Sequence, residues 1–178
     1  MIIQEMGAGD LAVALDVERS AFGQDEEANL VRALMADPTA EPRLSLLAMA
    51  EGRAVGHILF TGASVEGAHR PVAASILAPM AVTPKAQSQG YGGQLIAEGL
   101  RRLTSAGVEL IFVLGHPGYY PRFGFEPALP LGFEAPFPIA EEHADAWMLL
   151  ALRNGVVGSV AGKVKCADAL NRPELWRE

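Results

Sequence analysis

The chain has 178 residues, half of them hydrophobic, which is enough to bury one core and too apolar for a disordered segment. A net charge of −7 and a pI near 5.1 argue against a nucleic-acid binder, which presents a basic face, and lean towards a cationic acceptor. The one cysteine, Cys166, leaves no intrachain disulfide, and neither a signal-like N-terminus nor an apolar run of the ~20 residues that span a bilayer is present, so the expectation is a cytoplasmic protein off the membrane.

Residues 1–6 read as a short strand. Asp10 is placed to cap a helix running to about Phe22, and a second helix, from about Glu26 to Met35, puts Leu30, Val31 and Leu34 on one face before Asp37-Pro38 stops it. Leu44 to Ala50 and Ala54 to Ala63 read as strands joined by the hairpin turn Glu51-Gly52-Arg53, and a further strand runs from about Val72 to Val82. In the stretch from Gln87 to Gly107, Leu95, Ile96, Leu100 and Leu103 recur at helical spacing, with Glu98, Arg101 and Arg102 on the opposite face. Gly107 suits a left-handed cap, and Gly99, on the buried side, suits a helix lying close to a sheet. Glu109 to Leu114 is a buried strand, a short helix or turn follows around Gly118 to Phe123, and Trp147 to Leu152 is another strand. The tail from Asn154 carries no pattern that assigns it. With no repeat or linker, the economical reading is one domain over 1–178: an α/β (α+β) fold with a mixed sheet flanked by helices.

The junction from Met80 to Gly93 joins a strand to a helix N-terminus, where free backbone N–H groups and the helix dipole suit phosphate. A P-loop would need Gly-Lys-Ser/Thr at the helix start, which is absent. A dinucleotide fold would need a glycine where Leu95 stands and an acidic residue ending the next strand, whereas Glu109 begins it. Gln87-Ser88-Gln89-Gly90-Tyr91-Gly92 matches instead the pattern Gln/Arg-x-x-Gly-x-Gly/Ala of the pyrophosphate loop in acetyl-CoA-dependent N-acetyltransferases. Taken alone, these glycines are better explained as turn formers.

Four segments, in order, extend the match: Ala21-Phe22-Gly23 with Glu27 and Leu30-Val31; Ala54 to Phe60; Ile76 to Ile96; and Phe112 to Pro117 with Tyr119-Tyr120-Pro121-Arg122-Phe123-Gly124-Phe125. On these residues, covering most of 1–126, the chain resembles the GNAT superfamily of N-acetyltransferases, and within it the YhbS-like branch; 127–178 would supply C-terminal strands and a tail. Ser88, where many relatives have glycine, is a small departure.

The resemblance implies a splayed sheet in which acetyl-CoA enters between the strand ending at Val82 and the strand Glu109–Leu114. Pro79 supports an interruption there independently, because it lacks the N–H of an internal ladder. Met80, Ala81 and Val82 would offer backbone to the pantetheine arm, and Gln87, Ser88, Gln89, Gly90, Gly92 and Gly93 would form the pyrophosphate loop. Lys85 is placed to reach the 3′-phosphate or to remain in solvent. Direct attack of an amine on the thioester needs a base, since an alkylamine is almost wholly protonated at pH 7, and a donor for the oxyanion, for which the backbone of Ala81 is the candidate. Tyr120 is the candidate general acid or thiolate stabiliser, a role that competes with simple packing under the glycine-phenylalanine turn, which is the expectation for Tyr119. His116 and His57 are candidate bases that compete with structural roles, and Glu26 and Glu27 are candidate contacts to a cationic acceptor that compete with a solvated helix face. The histidines show no metal-ligand spacing, so no metal is expected.

The expected reaction is acetyl transfer from acetyl-CoA to an amine of a small molecule or protein, with no nucleic-acid or membrane partner; a homodimer is compatible with it. The rivals are a non-catalytic acyl-CoA-binding sensor or partner module, and an ordinary nucleotide-binding domain.

Overall fold

The computed structural model describes residues 2–177, so Met1 of the expected first strand lies outside them. Strand β1 (Ile2–Glu5) is followed by helices α1 (Leu11–Phe22) and α2 (Glu26–Ala36), then by β2 (Leu44–Ala50), β3 (Arg53–Glu66) and β4 (Ala74–Val82). Helix α3 (Tyr91–Ser105) leads into β5 (Leu110–Leu114), and the chain continues through β6 (Glu126–Pro127), β7 (Phe133–Glu134), β8 (Trp147–Ala151) and β9 (Gly162–Lys165). The main sheet runs β1-β2-β3-β4-β5-β8-β6, antiparallel throughout except for the parallel step from β4 to β5 that α3 spans.

Local chemistry explains most boundaries. Glu51 and Gly52 both take positive φ, 51° and 75°, the geometry a two-residue hairpin needs between β2 and β3. Gly107 adopts φ 88° just past α3, and Val108 N–H closes the cap on the Leu103 carbonyl at 3.0 Å. Asp10 departs from expectation: it stands at the N-cap of α1 but makes no cap, because its carboxylate turns back to accept the Gly7 N–H at 2.8 Å.

Two hydrophobic layers sandwich the sheet. On one face α1 and α2 bring Leu15, Leu30 and Leu34 onto Leu59, Ile76, Phe112 and Trp147. On the other, α3 lays Leu95, Ile96 and Leu103 over Phe60 and Ile111. A Cβ at Gly99 would run into the Phe60 ring, so the missing side chain sets how closely α3 approaches β3.

Two departures from regular pairing shape the centre. Between Ile58↔Met80 and Phe60↔Leu77, the single residue Leu59 of β3 faces both Ala78 and Pro79, a β-bulge on β4. Beside it, β4 and β5 pair only from Ala74↔Leu110 to Ile76↔Phe112, while β5 stays joined to β8 along its whole length. From Leu77 onward β4 follows β3, β5 follows β8, and the sheet opens into a V.

The tail that sequence left unassigned is structured. Strand β9 pairs with the far end of β3, Lys165 opposite Ser64 to Lys163 opposite Glu66, and also with β7. Two short 3₁₀ turns then carry the chain back to the α1/α2 face. Asp37 and Thr39 pin this return, accepting Ala169 N–H at 2.9 Å and Asp168 N–H at 2.8 Å. Trp176 ends it, buried, its indole N–H on the Leu170 carbonyl at 2.9 Å.

Candidate functional site

Two cavities meet at Met80, which lines both. The outer one, about 730 Å³, lies over the glycine loop. Gly90 opens α3 in a left-handed conformation, φ 89°, and the first helical bond runs from Gln94 N–H to the Gly90 carbonyl. The amides of Tyr91, Gly92 and Gly93 therefore have no acceptor within the helix and sit at the positive end of its dipole. A Cβ at Gly92 would lie 2.6 Å from the Tyr119 hydroxyl, so this close approach also requires glycine. Gln87 ties the loop to β4 by donating to the Val82 carbonyl at 3.0 Å. Ser88 takes φ 62°, a backbone that glycine adopts more readily.

The cation of this cavity is Arg122. Its guanidinium lies 4.8 Å from the Tyr119 ring centre and donates to the Tyr119 and Gly118 carbonyls at 3.0 and 3.3 Å. Lys85 and Gln89 instead face a separate hollow beside Arg53, and Gln89 donates to the Lys85 carbonyl at 3.1 Å. Arg122 lies about thirty residues beyond the glycine loop and reaches this cavity only through the return of the chain after β5, so nothing beside the loop in sequence signals it. Tyr119, expected only to pack, also lines the outer cavity. Free amides, an arginine and side chains trimmed to glycine fit a pyrophosphate anion.

The inner cavity, about 290 Å³, occupies the V between β4 and β5. Tyr120 reaches it from the turn after β5, 8% exposed, with its ring edge-on to Phe125 at 5.6 Å. Burial, with a smaller contribution from Tyr119, pushes its phenol well above the ordinary tyrosine range. The group therefore keeps its proton.

Strand register decides which amides of β4 face the gap. Thr83 N–H donates to the Val55 carbonyl at 2.8 Å, and Ala81 stands opposite His57 two residues back in the same ladder. Antiparallel hydrogen bonds recur every second residue, so the Ala81 N–H is turned towards β3 and is spent in the ladder. The amide directed at the gap is that of Met80, with Val82 next along. Ala81, the donor expected from sequence, is thus engaged by β3, and Met80 presents the amide on the open side.

Neither histidine faces a cavity. His116 is exposed on the turn after β5, its Nδ1 accepting Gly118 N–H at 2.9 Å. His57 is fully buried between Glu18 Oε2, 2.6 Å from Nδ1, and Ser45 Oγ, 2.8 Å from Nε2. Burial raises the Glu18 carboxyl above its usual value, and its Oε1 has no partner. This group clamps α1 to β2 and β3. Of the two acidic candidates, Glu27 lines the inner cavity, whereas Glu26 is exposed to solvent. Cys166 is half-buried, its thiol pushed up to about 11 by burial. Among the described residues no cluster of histidine, cysteine or acidic side chains is arranged to hold a metal, and no helix is long and apolar enough to cross a membrane.

Comparison with known proteins gives one answer at every level. Residues 3–128 match the acetyltransferase (GNAT) domain. The chain is 49% identical over 154 residues to the Escherichia coli N-acetyltransferase YjhQ, covering 86% of this chain and 84% of that protein. It is 33% identical over 155 residues to the E. coli N-acetyltransferase YhbS, covering 86% of this chain and 89% of that one. The crystal structure of YhbS in complex with CoA superposes with a TM-score of 0.86 at 30% identity, over 96% of this chain and 92% of that one. A GNAT family acetyltransferase from Brucella melitensis, in complex with acetyl-CoA, superposes at 0.75 and 30% identity, over 95% and 97%.

Proposed function

The chain belongs to the GNAT N-acetyltransferases, and from that premise we propose that it binds acetyl-CoA across the two joined cavities and passes the acetyl group directly to an amine held in the inner one. The observation that carries the reading is the meeting of the glycine loop and the opened sheet at Met80, which lets one elongated molecule span both. Relatives crystallised with CoA and with acetyl-CoA support it.

Each part has a task. The amides of Tyr91, Gly92 and Gly93, with Arg122, hold the pyrophosphate. Unpaired backbone of β4 beyond the bulge takes the pantetheine arm as a strand partner would, which leaves the thioester beside Met80 and Tyr120. Water takes one proton from the entering ammonium, the freed nitrogen forms a bond to the carbonyl carbon, and the Met80 N–H stabilises the negative charge that develops on the oxygen. The carbon–sulfur bond then breaks, the sulfur leaves with the electron pair, and the second proton shed by the nitrogen passes through water to that sulfur. Tyr120, with its high pKa, serves as a hydrogen-bond donor to the departing thiolate. The products are the N-acetyl amine and CoA thiol. The acidic chain with its lone thiol fits a cytoplasmic setting.

Calorimetric titration with acetyl-CoA, with NAD and ATP as controls, tests the binding step. We expect selective binding at one site per chain; no binding by the folded protein would remove the transferase reading. Tyr120→Phe should bind acetyl-CoA as the parent does while kcat for thiol release falls about 10- to 100-fold. Unchanged turnover would deprive Tyr120 of its role.

A further inference from the structure

The inner cavity has one acidic wall. Beyond the stretch of β4 and β5 that the cofactor needs, it is bounded by Phe22 and Leu30 from α1 and α2, by Leu175 and Trp176 from the tail, and by Glu27. Among the described residues Glu27 supplies the only carboxylate in that lining. It is half-buried, both oxygens accept only from the exposed Gln24 amide, at 3.1 and 3.3 Å, and among the described residues no cation pairs with it. Elsewhere among the described residues carboxylates that leave solvent are matched either by neutral donors, as Asp10 and Asp37 are by backbone amides, or by a basic side chain. Glu109 has Arg70 and Arg153, Glu98 has Arg101 and Arg102, and Glu18 has His57. A half-buried carboxylate facing an apolar hollow carries a desolvation cost that a ligand cation would offset.

Size and polarity define the rest of the ligand. A volume of about 290 Å³ sits at the lower end of the ~300–1,000 Å³ typical of small-molecule sites. Part of it must take the thioester. The remaining walls are aliphatic and aromatic, and they leave a hydroxyl-rich or multiply charged acceptor with unpaired polar groups.

Resting on the transferase reading above, we propose that the acceptor is a small monocationic amine whose apolar body, one ring or a short alkyl chain, fills the space between Phe22, Leu30, Leu175 and Trp176 while its ammonium group is drawn in by Glu27. The same carboxylate rejects amines that carry their own carboxylate beside the nitrogen, since like charges would meet in a poorly hydrated cavity. Glu27 is therefore a specificity-determining binding residue and leaves cofactor affinity untouched.

The test is a thiol-release assay at saturating acetyl-CoA with three aromatic amines of similar size: phenethylamine, cationic at neutral pH; aniline, uncharged; and phenylalanine, which adds a carboxylate. Each is run on the parent, Glu27→Gln and Glu27→Lys, with acetyl-CoA affinity measured in parallel. The parent should turn over phenethylamine and not phenylalanine. Glu27→Gln should raise the KM for phenethylamine about 10- to 100-fold, the worth of a charge-assisted bond, with acetyl-CoA affinity held. Glu27→Lys should abolish saturation by phenethylamine, and the KM for aniline should change by a smaller factor than that for phenethylamine in Glu27→Gln. Preference for phenylalanine, a KM that Glu27→Gln leaves within twofold, or binding of acetyl-CoA with turnover of none of the three would each overturn the assignment and leave the acetyl-CoA site standing. Loss of acetyl-CoA binding in the parent would remove the transferase reading itself.

Discussion

Arg122 shows how much one side chain depends on where the chain returns. Lys85 is close to the glycine loop in sequence yet faces another hollow, whereas Arg122 arrives after β5 and is braced by two carbonyls and the Tyr119 ring. A braced guanidinium loses little freedom when an anion binds, and its planar fork suits phosphate oxygens. Arg122→Ala should weaken acetyl-CoA binding about tenfold at low salt, and Lys85→Ala should change it less than twofold. Because the guanidinium is exposed, the Arg122 difference should shrink at high ionic strength, which calorimetry at two salt concentrations would register. An effect of Lys85→Ala equal to that of Arg122→Ala would return the phosphate contact to both.

At the scale of elements, α3 is held at a distance from β3 that Gly99 permits. Gly99→Ala gains intrinsic helix propensity and should nevertheless destabilise the protein by about 1–3 kcal/mol, because the added methyl meets the Phe60 ring in a packed interior. Urea denaturation would measure this, and a stabilised variant would mean the ring moves aside freely. Elements of this kind were legible in sequence. α3 has a strong apolar period and a glycine stop, and the β2–β3 hairpin has its Glu51-Gly52 turn, so both boundaries fall within a few residues of expectation. Strand β9 was illegible because Gly162-Lys163-Val164-Lys165 alternates over only four residues and gains its partners from β3 and β7, both far away in the chain. The candidate site divides in the same manner. The glycine loop and Tyr120 can be read from local pattern. The turning of the Ala81 amide into the ladder depends on register across two strands, and the inward face of Glu27 depends on helix packing, so neither has a signature in its immediate neighbours.

Over the whole molecule, one ion cluster joins distant parts. Glu109, just before β5, receives both arms of Arg70 at 3.0 Å and Arg153, beyond β8, at 3.4 Å. The hydrogen-bonded Arg70 guanidinium is the main cause that holds the Glu109 carboxyl below its ordinary range. A depressed pKa means the folded state binds its proton less readily than the unfolded chain. The stabilisation is therefore present above the unfolded carboxylate value of about 4.3 and is lost as pH falls through the lowered folded value. Glu109→Gln should melt below the parent at pH 7, and the two melting temperatures should converge as pH drops below about 4. A gap that persists in acid would assign the loss to packing.

The wall formed by Leu175 and Trp176 lies beyond residue 128, where the match to the GNAT domain stops, whereas Met80, Tyr120 and the glycine loop lie within it. Of the contacts proposed for the acceptor, Leu175 and Trp176 thus fall outside that match, and Phe22, Glu27 and Leu30 fall inside it. On the proposed reading, substitutions at Leu175 or Trp176 would reshape what enters the pocket from outside the length that carries the glycine loop, Met80 and Tyr120. An evolving lineage, or an engineer, could change the substrate by rewriting the tail and inherit the chemistry intact.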